Sequence, residues 1–174
     1  MSKLPGMMLL ALCCSMAFAE EESPERCADL SAYGLLDFWV GEWDVYSGDE
    51  KVGDNRIEKI LRGCAFMEHW KGVGGSEGKS LFFVDANGDW QQVWVTEWAT
   101  TPGGVKQKTQ IDEALIKGVR FQGQLHDPDI GPYLDRTTLT PNDNGEVRQL
   151  IEISKDDGDS WEVSFDAIYR RKTG

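Results

Sequence analysis

The chain has 174 residues, of which 30 are acidic and 18 are Lys or Arg, so its formal net charge is −12. This acidic balance argues against binding to nucleic acid or to an anionic membrane surface, because like charges repel. A chain of this length corresponds to one domain that buries a hydrophobic core without help from a metal. The sequence contains no evident catalytic triad, phosphate-binding loop or metal-ligand spacing.

The first residues have the pattern of a secretory signal peptide, which we assign to residues 1–19. Lys3 gives a positive start, and residues 7–18 form an apolar core that is too short to span a membrane. The small residues of Ala17-Phe18-Ala19 predict cleavage before Glu20. No later apolar stretch is long enough to cross a bilayer, so we expect an exported protein, periplasmic or secreted, without a transmembrane segment after cleavage.

An alternative interpretation of this leader is a lipoprotein that is anchored through acylated Cys13 or Cys14. Acylation of this kind needs a small residue before the cysteine. Leu12 and Cys13 occupy those positions, so the sequence favours soluble export.

Only two cysteines, Cys27 and Cys64, remain after the leader. An even number of cysteines in an exported chain predicts a disulfide. The bridge would tie the N-terminal segment to the end of the second predicted strand. Two buried free thiols are the alternative.

The remainder of the chain alternates between short strand-like segments and turns. A capping segment, residues 20–38, precedes them and has room for one or two helical turns between Ala28 and Phe38. The connections are short except for residues 126–133, which contain Pro128 and Pro132 and predict a longer loop. The predicted strands are residues 39–46, 52–61, 65–73, 79–84, 90–98, 105–111, 115–125, 134–140, 147–154 and 161–171.

The spacing of these strands predicts an all-β fold. Hairpin signals such as Asn87-Gly88, together with the absence of a helical period, indicate an antiparallel up-and-down β-barrel over residues 39–174. Closure of such a meander removes its two exposed edges and takes about eight to ten strands.

The alternation of side chains indicates which face of each strand lies inside. The third and fifth strands have bulky residues on both faces, which is typical of strands that line a cavity or are covered outside. The first, seventh and last strands have one clear apolar face, composed of Trp39, Gly41, Trp43 and Val45, of Leu115, Val119, Phe121, Gly123 and Leu125, and of Trp161, Val163, Phe165, Ala167 and Tyr169.

The motif Asp37-Phe38-Trp39-Val40-Gly41-Glu42-Trp43-Asp44-Val45 resembles the "FDFWLGEWDV" signature of a large bacterial family of often exported proteins of unknown function. The resemblance covers nearly the whole chain after the leader. It implies a calycin, or lipocalin-like, barrel whose first strand carries a Gly-x-Trp, and it implies no established activity. One departure is Ile151, where relatives are expected to have an aromatic residue, so one interior wall would differ. Further matching segments are Gly63-Cys64-Ala65 with Glu68 and Trp70, Gly78-Lys79-Ser80-Leu81, Gly88-Asp89-Trp90, Gln92-Val93-Trp94-Val95, Val147-Arg148-Gln149 with Glu152, Asp157-Gly158 with Trp161, Phe165-Asp166 and Tyr169-Arg170-Arg171.

Ligand pockets are mostly apolar and contain a few placed polar groups, and the chain offers a set of this kind. We expect Arg148 and Glu152 to lie at one mouth of the barrel, where Arg148 would pair with a ligand carboxylate. The alternatives are a solvated outer face covered by Trp rings and, for Arg148 and Glu152, a surface ion pair. Trp43 is expected to plug one end of the barrel. The candidate ligand-binding residues are Glu68, Trp70, Gln92, Trp94, Arg148, Glu152 and Tyr169.

Two acidic segments superficially resemble metal sites. His126-Asp127-Pro128-Asp129 is more simply a solvated loop, and Asp156-Asp157-Gly158-Asp159 is more simply a hairpin turn, since it lacks the register of a helix-loop-helix calcium site. The glycines of residues 72–78 lack the lysine and helix of a phosphate loop. We therefore expect no metal site and no cofactor.

Two functions are compatible with these features. The first is binding of a small, largely apolar molecule in a barrel cavity. The second is an enzyme in which Glu68 or Glu152 acts as general acid or base, because a carboxyl group in an apolar interior has a raised pKa. An interaction protein that uses exposed Trp faces is a weaker third. The ligand, the reaction and the oligomeric state are not specified by the sequence.

Overall fold

A computed structural model describes residues 27–111 and 117–173, and antiparallel strands joined by turns make up most of these residues. Each strand pairs with its neighbours in sequence, and the first pairs with the last to close the barrel. This confirms the predicted up-and-down barrel with very little helix. The strands are β1 (Gly41–Ser47), β2 (Glu50–Ile60), β3 (Ala65–Gly72), β4 (Glu77–Val84), β5 (Trp90–Thr96), β6 (Val105–Gln110), β7 (Val119–Asp127), β8 (Gly131–Pro141), β9 (Val147–Ser154) and β10 (Glu162–Arg171).

The hairpin between β4 and β5 illustrates how the turn residues end the strands. Gly88 has a φ of 91°, a left-handed conformation that glycine adopts without steric cost. The Asp85 carboxylate accepts hydrogen bonds from the backbone N–H groups of Asn87 at 2.8 Å and Asp89 at 3.1 Å. The chain therefore reverses within a few residues, as the Asn-Gly pair predicts.

The longer loop expected at residues 126–133 is wrong. β7 continues to Asp127 and β8 begins at Gly131, so only a tight turn separates them. The Asp127 carboxylate accepts the backbone N–H groups of Asp129 at 2.8 Å and Ile130 at 3.3 Å. Pro132 lies at the start of a strand, a position that tolerates proline.

The expected inward orientation of Trp161 and Val163 is also wrong. Trp161 precedes β10, and Val163 is 62% exposed. The pairing of β10 with β9 shifts between Val163 and Phe165, which indicates a β-bulge. A bulge inserts one residue and reverses the alternation, so only the part of β10 from Phe165 to Tyr169 keeps the expected inner face.

One end of the barrel is closed by the segment that precedes β1. Three 3₁₀ turns, Cys27–Asp29, Ser31–Gly34 and Asp37–Trp39, replace the expected helical turns, and β1 begins only at Gly41. Trp43 is fully buried, and its indole N–H donates to the Trp39 carbonyl at 2.8 Å. The predicted plug is confirmed.

A disulfide between Cys27 and Cys64 fastens this cap, as predicted. It joins the first 3₁₀ turn to the connection between β2 and β3. Lys59 adds an ion pair to Asp37 at 2.7 Å. The cap is therefore anchored to the barrel by a covalent bond and by an electrostatic contact.

Several predictions concern residues outside the described ranges. They are the signal peptide, cleavage before Glu20, acylation of Cys13 or Cys14, and the placement of Leu115 on the seventh strand. Across residues 27–111 and 117–173, no helix has both the length and the apolar character that a membrane crossing requires.

Candidate functional site

A cavity of about 350 Å³ occupies the half of the barrel away from the cap. Gly103, from the connection between β5 and β6, contributes to its wall, and this hairpin turns at the end opposite the cap. The lining residues are Glu68, Trp70, Gln92, Trp94, Gly103, Lys106, Lys108, Thr137, Gln149, Ile151, Ser164, Phe165 and Tyr169. Five of the candidate residues from the sequence, Glu68, Trp70, Gln92, Trp94 and Tyr169, are among them.

Two tryptophans belong to the aromatic wall of the cavity, and each lies against a glycine of a neighbouring strand. A Cβ atom at Gly53 would overlap the ring of Trp70, and one at Gly78 would overlap the ring of Trp94. Trp70 also makes an edge-to-face contact with Phe165, with ring centroids 6.3 Å apart. The glycines therefore provide the space in which the two indoles lie along the inner wall.

Glu68 is the buried acid of this cavity. One carboxylate oxygen accepts a hydrogen bond from the Asn55 amide at 2.7 Å, and the other accepts one from the Ser80 hydroxyl at 2.6 Å. Burial raises the pKa of Glu68, and the hydrogen bonds from Ser80 and Asn55 oppose this effect only in part. The barrel interior therefore favours the neutral form of Glu68 more than water does.

Tyr169 extends this network across the barrel. Its hydroxyl donates to the Gln149 side-chain oxygen at 2.6 Å and accepts from the Asn55 amide at 3.3 Å. Burial, with the neighbouring Glu68 charge, raises the pKa of Tyr169 well above its usual value. Tyr169 therefore stays a neutral hydrogen-bonding group at the cavity floor.

A second polar cluster, which the sequence analysis missed, lies on β6 and β8. The Lys108 ammonium donates to the Asp135 carboxylate and to the Thr137 hydroxyl, the latter at 2.6 Å. The Lys106 ammonium donates to the other Asp135 oxygen at 2.6 Å. Asp135 is completely buried and Lys108 is only 3% exposed, so this ion pair lies inside the barrel.

Burial and charge act in opposite directions in this cluster. Burial lowers the pKa of Lys108 to about 8, although the Asp135 carboxylate favours the charged form. Burial alone would raise the pKa of Asp135, but the charges of Lys108 and Lys106 outweigh it and the pKa is lowered. Asp135 is therefore ionised at neutral pH.

The residue pattern of β6 indicates this polar cluster. Val105 is exposed, and the residues after it, Lys106, Gln107, Lys108 and Thr109, form no apolar face. In a closed barrel one face of every strand must lie inside, so a strand without an apolar face brings polar groups into the interior. Lys106 and Lys108, two positions apart, share that face.

Gln92 leaves an open hydrogen-bond acceptor on the wall. Its side-chain N–H group donates to Ser80 at 3.3 Å, whereas its oxygen meets no partner within the described part of the chain. Gln92 is only 5% exposed, and it lies opposite Lys108 in the pairing of β5 with β6. A buried acceptor without a partner is costly unless something else bonds to it.

Arg148 and Glu152 do not line the cavity, which corrects the predicted placement. Arg148 makes two hydrogen bonds to Asp166 at 2.8 and 2.7 Å on the outer surface. Glu152 accepts two from Arg136 at 2.8 and 3.2 Å. The guanidinium of Arg136 also stacks on Trp161, 3.7 Å from the ring centroid.

The predicted placement was wrong because it went against the alternation of β9. Val147, Ile151 and Ile153 share one face, whereas Arg148 and Glu152 lie with Leu150 on the other. The structure places Gln149 and Ile151 on the cavity wall. The alternative interpretation, a surface ion pair, is correct for Arg148, but its partner is Asp166 and not Glu152.

His69 and the acidic turn at Asp156 have partners outside the cavity. His69 contacts Glu58 and Lys79, each at 2.7 Å, away from the cavity. The Asp156 carboxylate binds Ser160 and Ser154 within its own turn. Among residues 27–111 and 117–173, no three His, Cys, Asp or Glu side chains are grouped so as to hold a metal ion.

No protein-family model matches the chain, and no match was found among curated proteins. Membership of the exported bacterial family that residues 37–45 resemble therefore stays a prediction. The case for a function depends on the chemistry of the cavity described above.

Proposed function

We propose that this is an exported protein that binds a small, largely apolar molecule in the barrel cavity. The observation that carries the proposal is the cavity of about 350 Å³, which has an aromatic wall and a few buried polar groups. Pockets for small molecules have about 300–1,000 Å³ and combine these same elements. Trp70, Trp94, Ile151 and Phe165 would contact the apolar body of the ligand.

Export is supported by the disulfide, because such bonds persist in oxidising compartments. The mass of the processed protein tests this part of the proposal. Cleavage before Glu20 is expected. An acyl group on Cys13 or Cys14 would instead indicate the membrane-anchored alternative.

Native mass spectrometry of the exported protein tests ligand binding. We expect an additional mass that dissociates when the protein is denatured, and a lower occupancy for Trp70→Ala and Trp94→Ala. The matched control is Trp98→Ala, since Trp98 is 61% exposed and does not line the cavity. Equal occupancy in all three variants would contradict the proposal. So would the failure of every variant to bind a copurified or an added small molecule.

An enzyme remains the second candidate because Glu68 lines the cavity and has a raised pKa. Perturbed carboxyl groups in cavities often act as general acids or bases. Glu152 is unsuited to this role because it pairs with Arg136 away from the cavity. Loss of turnover in Glu68→Gln with unchanged ligand binding would favour the enzyme. Binding alone is the better supported function because both Glu68 oxygens already accept hydrogen bonds.

A further inference from the structure

The ionisable groups that β6 and β8 bring inside the barrel are not balanced in charge. Two ammonium groups, those of Lys106 and Lys108, contact a single carboxylate, that of Asp135. The remaining acid, Glu68, bonds to the neutral side chains of Asn55 and Ser80. Glu68 lies on β3, and the Lys108 charge opposes the rise that burial causes in its pKa. The β6 side of the cavity therefore has an excess of positive charge.

The lysines also retain hydrogen-bonding capacity. An ammonium group has three N–H donors. Lys108 directs one to Asp135 and one to Thr137, and Lys106 directs one to Asp135. Within the described residues, donors on both lysines are left over after these bonds. An anionic group can therefore bind without displacing Asp135.

On these grounds, and resting on the binding function proposed above, we propose that the ligand is an amphipathic monocarboxylate whose carboxylate binds to Lys106 and Lys108. One excess positive charge matches one carboxylate better than a doubly charged phosphate. Charge-assisted hydrogen bonds between ammonium and carboxylate are stronger than neutral ones, and more so in a buried site.

The strand register places this polar site beside the aromatic wall. Gln92 lies opposite Lys108, and Trp94 lies opposite Lys106. A carboxylate at the lysines therefore leaves its apolar body against Trp94 and the adjoining wall. Gln92 is only 5% exposed, and its side-chain oxygen has no hydrogen-bond partner in the described residues. In this proposal the oxygen accepts a hydrogen bond from a hydroxyl or amide N–H group next to the ligand carboxylate.

Isothermal titration calorimetry with matched pairs of probes tests this proposal. The pairs are 1-naphthylacetate with 1-naphthylacetamide, and decanoate with decanamide, which differ mainly in charge. We expect the acid of a pair to bind at least about tenfold more tightly than the amide, the factor that corresponds to one charge-assisted hydrogen bond. Equal binding, or preference for the amides, overturns the carboxylate proposal and leaves the binding function intact. If no probe binds and no ligand copurifies, both proposals fail.

The variant Lys106→Met assigns the preference to the lysine pair. It leaves Lys108 and Asp135 as a neutral ion pair, so we expect it to fold, and thermal unfolding checks this. The preference for the acid should fall to about one tenth or less of its wild-type value. Lys117→Met is the matched control, because it removes the same charge from an exposed pair with Asp143. A full preference in Lys106→Met, or an equal loss in Lys117→Met, contradicts the assignment.

Discussion

Glu68 is a buried carboxyl group whose two oxygens both accept hydrogen bonds from neutral side chains. Burial raises its pKa above the ordinary value of 4.5. Above the unfolded-state pKa the folded state therefore holds more protons than the unfolded state. Stability conferred by the protonated form is present at low pH and is lost as pH rises from the unfolded-state pKa to the folded-state pKa.

Replacing Glu68 by Gln should remove this loss. The amide keeps an oxygen for Asn55 and a polar group for Ser80, and it has no charge to desolvate. We expect Glu68→Gln to be more stable than the wild type at neutral pH and to show a flatter dependence of stability on pH above about 4.5. Urea unfolding at a series of pH values measures both effects. A Gln variant that is less stable at neutral pH would indicate that the ionised form of Glu68 stabilises the fold.

The inner face of a strand was predictable where its alternation is clear. β1 alternates clearly, and its inward Trp43 was identified from sequence. β3 and β5 have bulky residues on both faces, and Trp70 and Trp94 were placed inside only on the hypothesis of a cavity, which the structure supports. β6 lacks this contrast because it is polar on both faces, and its lysines were missed for that reason. On β9, Arg148 lies on the face opposite Val147 and Ile151, so its predicted inward placement went against the alternation.

Two further differences arise from backbone geometry that residue patterns do not encode. The bulge in β10 reverses the alternation after Val163, and the prolines near the β7–β8 turn are compatible with strand ends. The hairpins and the disulfide were predictable, because turn chemistry and cysteine pairing depend on local signals. Register and cavity shape depend on contacts between distant segments.

Gly78 on β4 has no side chain, which leaves room for the Trp94 ring in the aromatic wall. The substitution Gly78→Ala tests this contribution. The added Cβ would overlap the Trp94 ring, so the ring must move toward the cavity. We expect a loss of about 1–3 kcal/mol in the free energy of unfolding, which is typical of overpacking. Urea unfolding measures the change, and ligand binding should weaken in parallel.

Gly74→Ala serves as the control for this substitution. Gly74 lies in the exposed turn between β3 and β4, and an added Cβ there would meet no atom within 4 Å. Its unfolding midpoint should stay near that of the wild type. An equal midpoint for Gly78→Ala would show that Trp94 tolerates the methyl group and does not depend on the glycine.

The disulfide acts on the whole molecule, because it joins the cap to the barrel across 37 positions of sequence. Closing a loop of this length restricts the unfolded chain and stabilises the fold by about 2–4 kcal/mol. Reduction should lower the free energy of unfolding by this amount, as urea unfolding with and without a reductant would measure. Two alkylatable thiols on the unreduced native protein would contradict the bridge.

The fastened cap also has a kinetic consequence for any bound molecule. Within the described residues, Trp39 and Trp43 fill the capped end, so a ligand would enter and leave past the β5–β6 hairpin. A second molecule would then not reach the first one from the capped end that the described residues form. The bound molecule would leave in a first-order step, so the rate at which a second ligand replaces it would not depend on the concentration of that ligand. Under the proposed binding function, a barrel closed at one end would hold and release its ligand and would not conduct it.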